Sequence, residues 1–192
     1  MPDTNLHPTV DSGTVAAPFG ALEGTHWIES LHDGTKVLIR PLGPQDRERE
    51  ADFIKRLSPD ARRLRFLGTF KQASPALIDQ LMDVDYRHQM AFVALAHDGG
   101  QLREVGVSRY SEAGSDKRCE CAVAVADEWQ HRGLGVLLMR HLIAIARKNG
   151  YKQMFSVDAA ENEPMRVLGE YLGFRRRIDP DDAAQVIHTL AL

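Results

Sequence analysis

The sequence predicts an α/β (α+β) fold in which a mixed and largely antiparallel central sheet is flanked by helices. An alternating apolar run ends at Ala126, and a polar turn leads from it into a long stretch with apolar residues at helical spacing. The strands directly before this run are predicted to be antiparallel, with no βαβ unit among them. An antiparallel meander that feeds a strand–loop–helix–strand core satisfies these observations.

The N-terminal half divides at turn and cap signals. Asp33-Gly34 separates two short apolar runs, which predicts a hairpin. Pro44, Ser58-Pro59 and Ser74-Pro75 each precede a periodic run and predict a helix start. Asp98-Gly99-Gly100 turns one strand into the next. The predicted elements are strands at about 27–31 and 36–40, helices at about 45–57, 61–67 and 74–82, and strands at about 90–97 and 103–112.

The C-terminal half begins with a strand at about 119–126 that feeds the polar turn. The helix after the turn starts at Gly133 and ends at Asn149-Gly150, because glycine beyond the last turn stops a helix. Its apolar residues fall on one face: Leu134, Leu137, Leu138, Leu142 and Ile145. The remaining predicted elements are a strand at about 152–157, a helix at about 162–172 closed by Gly173, and a hairpin of strands at about 174–178 and 185–190.

Composition restricts the functions open to the chain. The formal net charge of −3 argues against a nucleic-acid partner or an anionic membrane surface, and no apolar run reaches the length of a membrane span. Cys119 and Cys121 are the only cysteines and the histidines show no ligand spacing, so we expect no disulfide framework and no metal site. Residues 1–24 are expected to form a flexible leader without a secretory signal, before one domain at 25–192. These features favour a cytoplasmic, reduced protein.

The polar turn is the most informative segment of the chain. Gln130-His131-Arg132-Gly133-Leu134-Gly135 places two glycines one residue apart at a helix start, where the lack of Cβ atoms lets the backbone approach a ligand. The helix start also directs unpaired N–H groups and the positive end of its dipole at the turn, which is the geometry of a diphosphate cradle. A dinucleotide fingerprint is disfavoured because Leu138 stands where its third glycine belongs. A glycine-rich turn without a ligand is the alternative.

The turn resembles the Gln/Arg-x-x-Gly-x-Gly/Ala motif of the GNAT family, the acetyl-CoA-dependent N-acetyltransferases. Asn162-Glu-Pro-Met165 and Leu172-Gly173-Phe174 are similar to two further signatures of that family. The resemblance covers about residues 25–192 and implies the GNAT fold, with acetyl-CoA as cosubstrate. The opening segment is more specifically similar to the acetyltransferase domain of bacterial Pat-type protein lysine acetylases, in the runs Arg40-Pro41-Leu42, Leu57-Ser58-Pro59 and Leu64-Arg65-Phe66.

Glu120 is the candidate general base. Acetyl transfer needs a neutral amine, and a lysine-type amine has a pKa of about 10.4, so its deprotonation at pH 7 costs roughly 4–5 kcal/mol. A carboxylate is a useful base when an apolar setting raises its pKa or when it acts through a water. Glu120 stands in the most apolar strand and shares a face with the strand's alanines if the alternation is regular. The resemblance implies the same role, since Pat-type domains place a catalytic glutamate here; the alternative is an exposed glutamate paired with Lys117 or Arg118.

The cosubstrate-binding candidates come from the cradle and from the resemblance. We expect the N–H groups of the turn and helix start to bind the diphosphate: His131, Arg132, Gly133, Leu134, Gly135 and Val136. The resemblance implies that the backbone of Val123, Ala124 and Val125 pairs with the pantetheine arm as an added strand would. The two valine side chains are expected to pack in the core. Asn162 caps the last helix by its position, and the resemblance adds a hydrogen bond to the pantetheine. The Arg132 side chain either adds charge to the diphosphate site or is a solvated cation.

One position departs from the family pattern. Many GNAT enzymes carry a tyrosine four residues before the glycine of Leu-Gly-Phe, acting as general acid on the leaving thiolate, and here that position is Gly169. Tyr171 lies about 200° further around the helix and does not substitute by geometry. The thiolate therefore leaves unassisted, which a thiol pKa of about 8.5 allows, or takes a proton from another group. Tyr110 is one candidate donor, with packing inside its strand as the alternative role.

Three functions are compatible with these residues. The first is transfer of acetyl from acetyl-CoA to a lysine side chain of a protein, which by resemblance is an acyl-CoA synthetase. The second keeps the fold and takes a small-molecule amine or an α-amino group as acceptor. The third, motivated by Gly169, is a regulatory module that binds acyl-CoA without turnover. The basic run Arg62-Arg63-Leu64-Arg65 is either a solvated helix face or a surface that steers an acidic acceptor protein.

Overall fold

The computed structural model describes residues 25–67 and 73–192, and the leader predicted at 1–24 lies outside the described residues. The strands within them are β1 (Trp27–Ser30), β2 (Lys36–Pro41), β3 (Gln89–Asp98), β4 (Gln101–Glu112), β5 (Arg118–Val125), β6 (Gln153–Ala159), β7 (Arg175–Ile178) and β8 (Gln185–Ala191). The helices are α1 (Arg47–Arg56), α2 (Pro59–Phe66), α3 (Pro75–Met82), α4 (Leu134–Lys148) and α5 (Glu163–Leu172). Each predicted strand and helix is confirmed, with its ends displaced by two residues or fewer.

The helix starts confirm the cap signals. Ser58 Oγ accepts a hydrogen bond from Ala61 N at 3.2 Å, and proline occupies the first position of α2. Ser74 Oγ caps α3 in the same way, accepting from the N–H of a residue three positions later. These bonds satisfy N–H groups that have no partner inside a helix. At the other end of α5, Gly173 adopts a φ of +87°, which glycine reaches without the steric cost of a side chain.

The described strands form one sheet in the order β1-β2-β3-β4-β5-β6-β8-β7. β5 and β6 run parallel, and the other neighbouring strands of this sheet run antiparallel. The mixed and largely antiparallel sheet is therefore confirmed. The closing hairpin of β7 and β8 is confirmed as well, but β8 lies between β6 and β7. The sequence does not predict this position of the last strand.

A bulge in β4 lets α4 approach the sheet closely. Ala94 of β3 pairs with Gly106 whereas its neighbour Leu95 pairs with Glu104, so one residue of β4 is extra. A Cβ at Gly106 would lie 3.0 Å from Leu138 Cδ1 and 3.2 Å from Leu134 Cδ2. Since both leucines are fully buried in α4, the missing side chain is what admits the first turns of this helix.

The two faces of the sheet carry different helices. Ser108 Oγ donates to Leu138 O of α4 at 3.2 Å, whereas the next residue, Arg109, donates to Glu50 Oε1 of α1 at 2.7 Å. Adjacent residues of a strand point to opposite faces, and Arg109 pairs directly with Ala122 of β5. We call the two sides the α4 face and the α1 face. The pairing places Glu120, two residues from Ala122, on the α1 face.

The sheet opens between β5 and β6. These strands pair at three positions, Arg118↔Gln153, Cys119↔Met154 and Glu120↔Phe155. β5 nevertheless continues to Val125 and β6 to Ala159. The two strands therefore diverge beyond Glu120 and leave a gap in the sheet.

Candidate active site

A cleft of about 980 Å³ lies at the gap between β5 and β6. Its walls come from α2, the second half of β5, the turn before α4, the first turns of α4, the end of β6 and the first half of α5. All the candidate site residues line this cleft: Glu120, Val123, Ala124, Val125, His131, Arg132, Gly133, Leu134, Gly135, Val136 and Asn162. The fold thus brings together residues from three separate segments of the chain.

The turn before α4 has a shape that requires glycine. Gly133 has a φ of +88°, and a Cβ there would lie 2.6 Å from His32 Nε2. His131 also adopts a left-handed conformation, with a φ of +58°. Leu137 N donates to Gly133 O at 3.2 Å, so the N–H groups before Leu137 have no acceptor within α4. These groups and the positive end of the helix dipole lie at the cleft, where they suit an anionic group.

The Arg132 side chain anchors the turn to the hairpin of β1 and β2. Its Nη2 donates to Asp33 Oδ2 at 2.6 Å and to Thr35 Oγ1 at 2.8 Å, and its Nε donates to Asp33 Oδ2 at 2.9 Å. The guanidinium also lies 4.4 Å from the ring centroid of Trp129. Hydrogen bonds from Thr35, and then the contact with Arg132, lower the pKa of Asp33 to about 2. The side chain is therefore not a free solvated cation, although the residue also lines the cleft.

The wall formed by β5 has a backbone edge that faces the cleft. One edge of β5 pairs with β4 as far as Val125, whereas the other edge meets β6 only as far as Glu120. Val125 O accepts from Gln130 Nε2 at 3.2 Å, which ties the turn to this edge. The side chains of Val123 and Val125 pack against the core, as expected, but they are only half-buried because they also line the cleft. Such an edge suits an extended, amide-containing ligand.

Glu120 occupies the last paired position before the strands diverge. It is exposed, so the apolar shielding expected from the composition of its strand is absent. The alternative ion pair is absent too: within the described residues neither Lys117 nor Arg118 bonds to Glu120. Arg118 lies over the Phe155 ring instead, 4.8 Å from its centroid. The register keeps Glu120 on the face of Ala122, as the alternation predicts.

Asn162 joins a helix cap to the cleft wall. Its Oδ1 accepts from Met165 N at 3.1 Å, which confirms the cap of α5. The residue also lines the cleft, and the cap occupies only the carbonyl oxygen of its amide. The amide nitrogen therefore remains available to a ligand.

The helix α2 covers the cleft from the α1 face. Ser58 N and Oγ both donate to Asp127, at 3.0 Å and 2.8 Å, which fixes α2 to the turn before α4. Arg63 forms an ion pair with Glu161 at 2.8 Å. Arg65 lines the cleft, and burial together with repulsion from a neighbouring arginine lowers its pKa to about 10. The basic run is therefore not simply a solvated face.

The ring of His188 lies against the position where many family members carry the tyrosine. Gly169 faces His188, and a Cβ at Gly169 would lie 3.3 Å from His188 Cδ2. Tyr171 lies on an exposed side of α5, with 64% of its surface accessible. Tyr110 is buried outside the cleft, where its hydroxyl donates to Arg87 O at 3.0 Å and burial raises its pKa to about 12. Tyr110 therefore packs in the core and is not the donor.

The sequence-based candidates do not include Asp158, which also lines the cleft. Its Oδ2 accepts from Ser156 Oγ at 2.6 Å and lies 2.9 Å from His188 Nδ1. The spacing of Ser156 and Asp158 on one strand face is visible in the sequence. The histidine reaches them only because β8 pairs with β6, and no local signal predicts that pairing.

Comparison with known proteins identifies the family. A sequence profile of the acetyltransferase (GNAT) family matches residues 56–174. The chain belongs to the GNAT family of acetyltransferases. This acetyltransferase is 58% identical over 183 residues to acetyltransferase PA5475 of Pseudomonas aeruginosa, covering 95% of this chain and 98% of that protein. It is 29% identical over 144 residues to acetyltransferase Pat of Mycolicibacterium smegmatis, covering 74% of this chain and 42% of that protein.

Solved structures support the fold of this GNAT acetyltransferase. The GNAT domain of S. lividans PAT matches it with a TM-score of 0.78 and 22% identity, over 87% of this chain and 97% of that one. The family uses acetyl-CoA, and the unpaired N–H groups at the start of α4 and the open edge of β5 fit the diphosphate and the pantetheine amides of that molecule. None of the helices in residues 25–67 and 73–192 is long and apolar enough to cross a membrane.

Proposed function

We propose that this enzyme transfers acetyl from acetyl-CoA to a lysine side chain of a protein, with Glu120 as the general base. The observation that carries the proposal is the exposed position of Glu120 at the start of the cleft, where a side chain from another protein can reach it. The Pat-like opening segment and the similarity to two proteins named Pat favour a protein acceptor, of which an acyl-CoA synthetase is the expected example.

The proposed arrangement of acetyl-CoA follows the walls of the cleft. The N–H groups of residues 131–136 bind the diphosphate. The backbone of residues 123–125 pairs with the pantetheine arm, and Asn162 donates its amide N–H to the same arm. This path directs the thioester along β5 toward Glu120, so the acceptor amine approaches from the α1 face.

Glu120 then acts on the acceptor. Its carboxylate takes a proton from the lysine ammonium, directly or through a water, and the neutral amine attacks the thioester carbonyl. The positive charge of Arg65 in the same cleft disfavours a second cation, which helps the acceptor release its proton. Since Glu120 is exposed, access rather than apolar shielding is the property that this site supplies to the base.

The acceptor class is tested by measuring CoA release with lysine peptides, polyamines and aminoglycosides, each with the wild-type enzyme. A cell lysate incubated with the enzyme and labelled acetyl-CoA identifies modified lysines by mass spectrometry. Turnover on lysine peptides and on specific lysate lysines supports the proposal. Turnover confined to small amines would assign the enzyme a small-molecule acceptor instead, and tight acetyl-CoA binding without transfer would make the chain a binding module.

The role of Glu120 is tested with Glu120→Gln, which keeps the shape but cannot take a proton. We expect kcat to fall by about 10²–10⁴-fold, while acetyl-CoA affinity stays within a few-fold of wild type. The loss narrows as pH rises toward the amine's own pKa, where the acceptor needs no base. Glu112→Gln, on the neighbouring strand and outside the cleft, is the matched control and keeps wild-type kcat. A wild-type rate for Glu120→Gln near neutral pH would rule Glu120 out as the base.

A further inference from the structure

A second carboxylate lies across the gap from the cosubstrate wall. Continuing the parallel register beyond Glu120↔Phe155 places Asp158 of β6 level with Val123 of β5. Asp158 lines the same cleft, and its side chain is 13% exposed. The acidic side chain of Asp158 therefore lies level with the expected path of the pantetheine arm and faces the open part of the sheet.

The two carboxylates of the cleft occupy opposite faces of the sheet. Phe155 pairs directly with Glu120 and shares its face, the α1 face. Asp158 is three residues further along the strand, so alternation places it on the α4 face. A thioester in the gap would thus have Glu120 on the side where an acceptor approaches and Asp158 on the other side.

Asp158 is fixed through one of its oxygens. Ser156 Oγ donates to Oδ2 at 2.6 Å, and His188 Nδ1 lies 2.9 Å from the same atom. Within the described residues Oδ1 receives no hydrogen bond. His188 is 2% exposed, and its Nε2 has no hydrogen-bond partner in that part of the chain, so the hydrogen bonding of the ring is to Asp158. Because both donors meet Oδ2, they can stay in place while Oδ1 gains or loses a proton.

His188 also connects Asp158 to the departure from the family pattern. The ring stands 3.3 Å from the Cβ that any other residue would have at position 169. A tyrosine there requires the histidine to move, and the glycine admits the ring. The position of the family's tyrosine and the histidine that orients Asp158 therefore lie side by side in the fold.

We infer that Asp158 supplies the proton that the leaving thiolate receives, and that His188 and Ser156 are positioning residues for it. After Glu120 has taken the first proton from the ammonium and the N–C bond has formed, the second proton of that nitrogen passes through water in the gap to Asp158 Oδ1 on the other face. The C–S bond then breaks with its electron pair on sulfur, and Asp158 returns the proton to sulfur. The products are the N-acetyl amine and CoA thiol, with one proton released from Glu120 to water. A carboxylic acid is a stronger acid than a thiol, so the last transfer is favourable.

The first test is Asp158→Asn, which keeps the size of the side chain but cannot carry a proton. We expect kcat to fall about 10²-fold, with the melting temperature and the acetyl-CoA dissociation constant close to wild type. The slow hydrolysis of bound acetyl-CoA expels the same thiolate without an acceptor amine and should fall equally. This second measurement separates the inference from the lysine proposal. A kcat and a hydrolysis rate within threefold of wild type would overturn it, and Asp182→Asn, in the turn between β7 and β8, controls for loss of charge.

Two further variants keep the test decisive if Asp158→Asn fails to fold. His188→Asn retains a donor near the place of Nδ1 and should keep kcat, whereas His188→Leu removes the donor and should lower kcat about tenfold at unchanged acetyl-CoA affinity. Equal rates for these two variants would contradict the positioning role. Where Asp158→Asn does fold, adding His188→Ala and Gly169→Tyr to it supplies a tyrosine and the space for that side chain. We expect at least tenfold recovery of kcat; no recovery in a folded variant that binds acetyl-CoA would count against proton delivery to the thiolate.

Discussion

The two glycines of the turn before α4 should fail in different ways when a side chain is added. Gly133 has a φ of +88°, and its Cβ would approach His32 Nε2 to 2.6 Å. Gly135 is helical, and its Cβ would meet Leu168 Cδ2 at 3.6 Å, an ordinary van der Waals distance. Gly133→Ala should therefore destabilise the fold, whereas Gly135→Ala should leave it intact and obstruct only a ligand that approaches the backbone.

The magnitudes follow from these geometries. A left-handed non-glycine residue costs about 1–2 kcal/mol, which lowers the melting temperature of a chain this size by about 2–8 °C. Alanine in place of helical Gly135 stabilises by about 0.5–1 kcal/mol and should raise the melting temperature slightly. Gly135→Asp adds a negative charge near the diphosphate, and at 5 Å with an effective dielectric constant of 20–80 the repulsion is about 1–3 kcal/mol. We expect acetyl-CoA to bind roughly 5–150-fold more weakly to this variant.

Differential scanning fluorimetry and calorimetric titration with acetyl-CoA measure the two effects separately. Gly114→Ala is the control for Gly133→Ala, since it has a φ of +72° but no atom within 4 Å of its Cβ. It should lose stability without losing acetyl-CoA affinity. Unchanged affinity in Gly135→Asp would refute the diphosphate cradle. A Gly133→Ala variant as stable as wild type would refute the conformational reasoning.

Three other expectations concern stability. Asp33→Asn should lower the melting temperature at pH 7. Because folding lowers the pKa of Asp33 to about 2, the contribution of this carboxylate to stability is complete above about pH 4 and is lost as pH falls through about 2. The difference in melting temperature between wild type and variant should therefore shrink at low pH. Burial and the nearby Glu50 raise the pKa of Glu104 well above its usual range. The folded state therefore has its full stability at pH values below that usual range and loses stability as pH rises. Glu104→Gln should raise the melting temperature more at pH 8 than at pH 4, and an equal effect at both pH values would contradict this. Ser58→Ala removes the cap of α2, worth about 1 kcal/mol, together with the hydrogen bond from Oγ to Asp127. It should lower the melting temperature by at least about 2–4 °C, and an unchanged melting temperature would contradict both roles.

Features set by local sequence are the ones that the sequence predicts well. α4 follows from its apolar spacing and from the glycines before it, and α2, α3 and α5 follow from Ser58, Ser74 and Asn162. Each of these signals acts within about one helical turn, so tertiary packing has little opportunity to override it. The cofactor-side candidates line one cleft for the same reason, because the turn and the helix start are adjacent in the chain.

Features that depend on distant pairing are not predictable in this way. The composition of β5 is apolar, which suggested a shielded Glu120, but shielding depends on how far β6 follows β5. The ladder ends at Glu120, and the residue is exposed. The contact of Gly169 with His188 likewise requires β8 to pair with β6, ahead of its hairpin partner β7. Period-two alternation assigns a residue to a face but does not identify the neighbouring strand.

The ladder between β5 and β6, with three pairs, is the shortest in the sheet of the described residues. Five antiparallel strands stand on one side of it and three on the other. A pantetheine arm paired to β5 would lengthen the junction, so the substrate would act as a temporary strand that fastens two halves of the protein together. Amide hydrogen exchange along Val123–Val125 and Ser156–Ala159 should then slow on binding, and the two halves should unfold more cooperatively with acetyl-CoA than without it. Release of CoA after each turnover would then remove this additional strand and shorten the junction between β5 and β6 again.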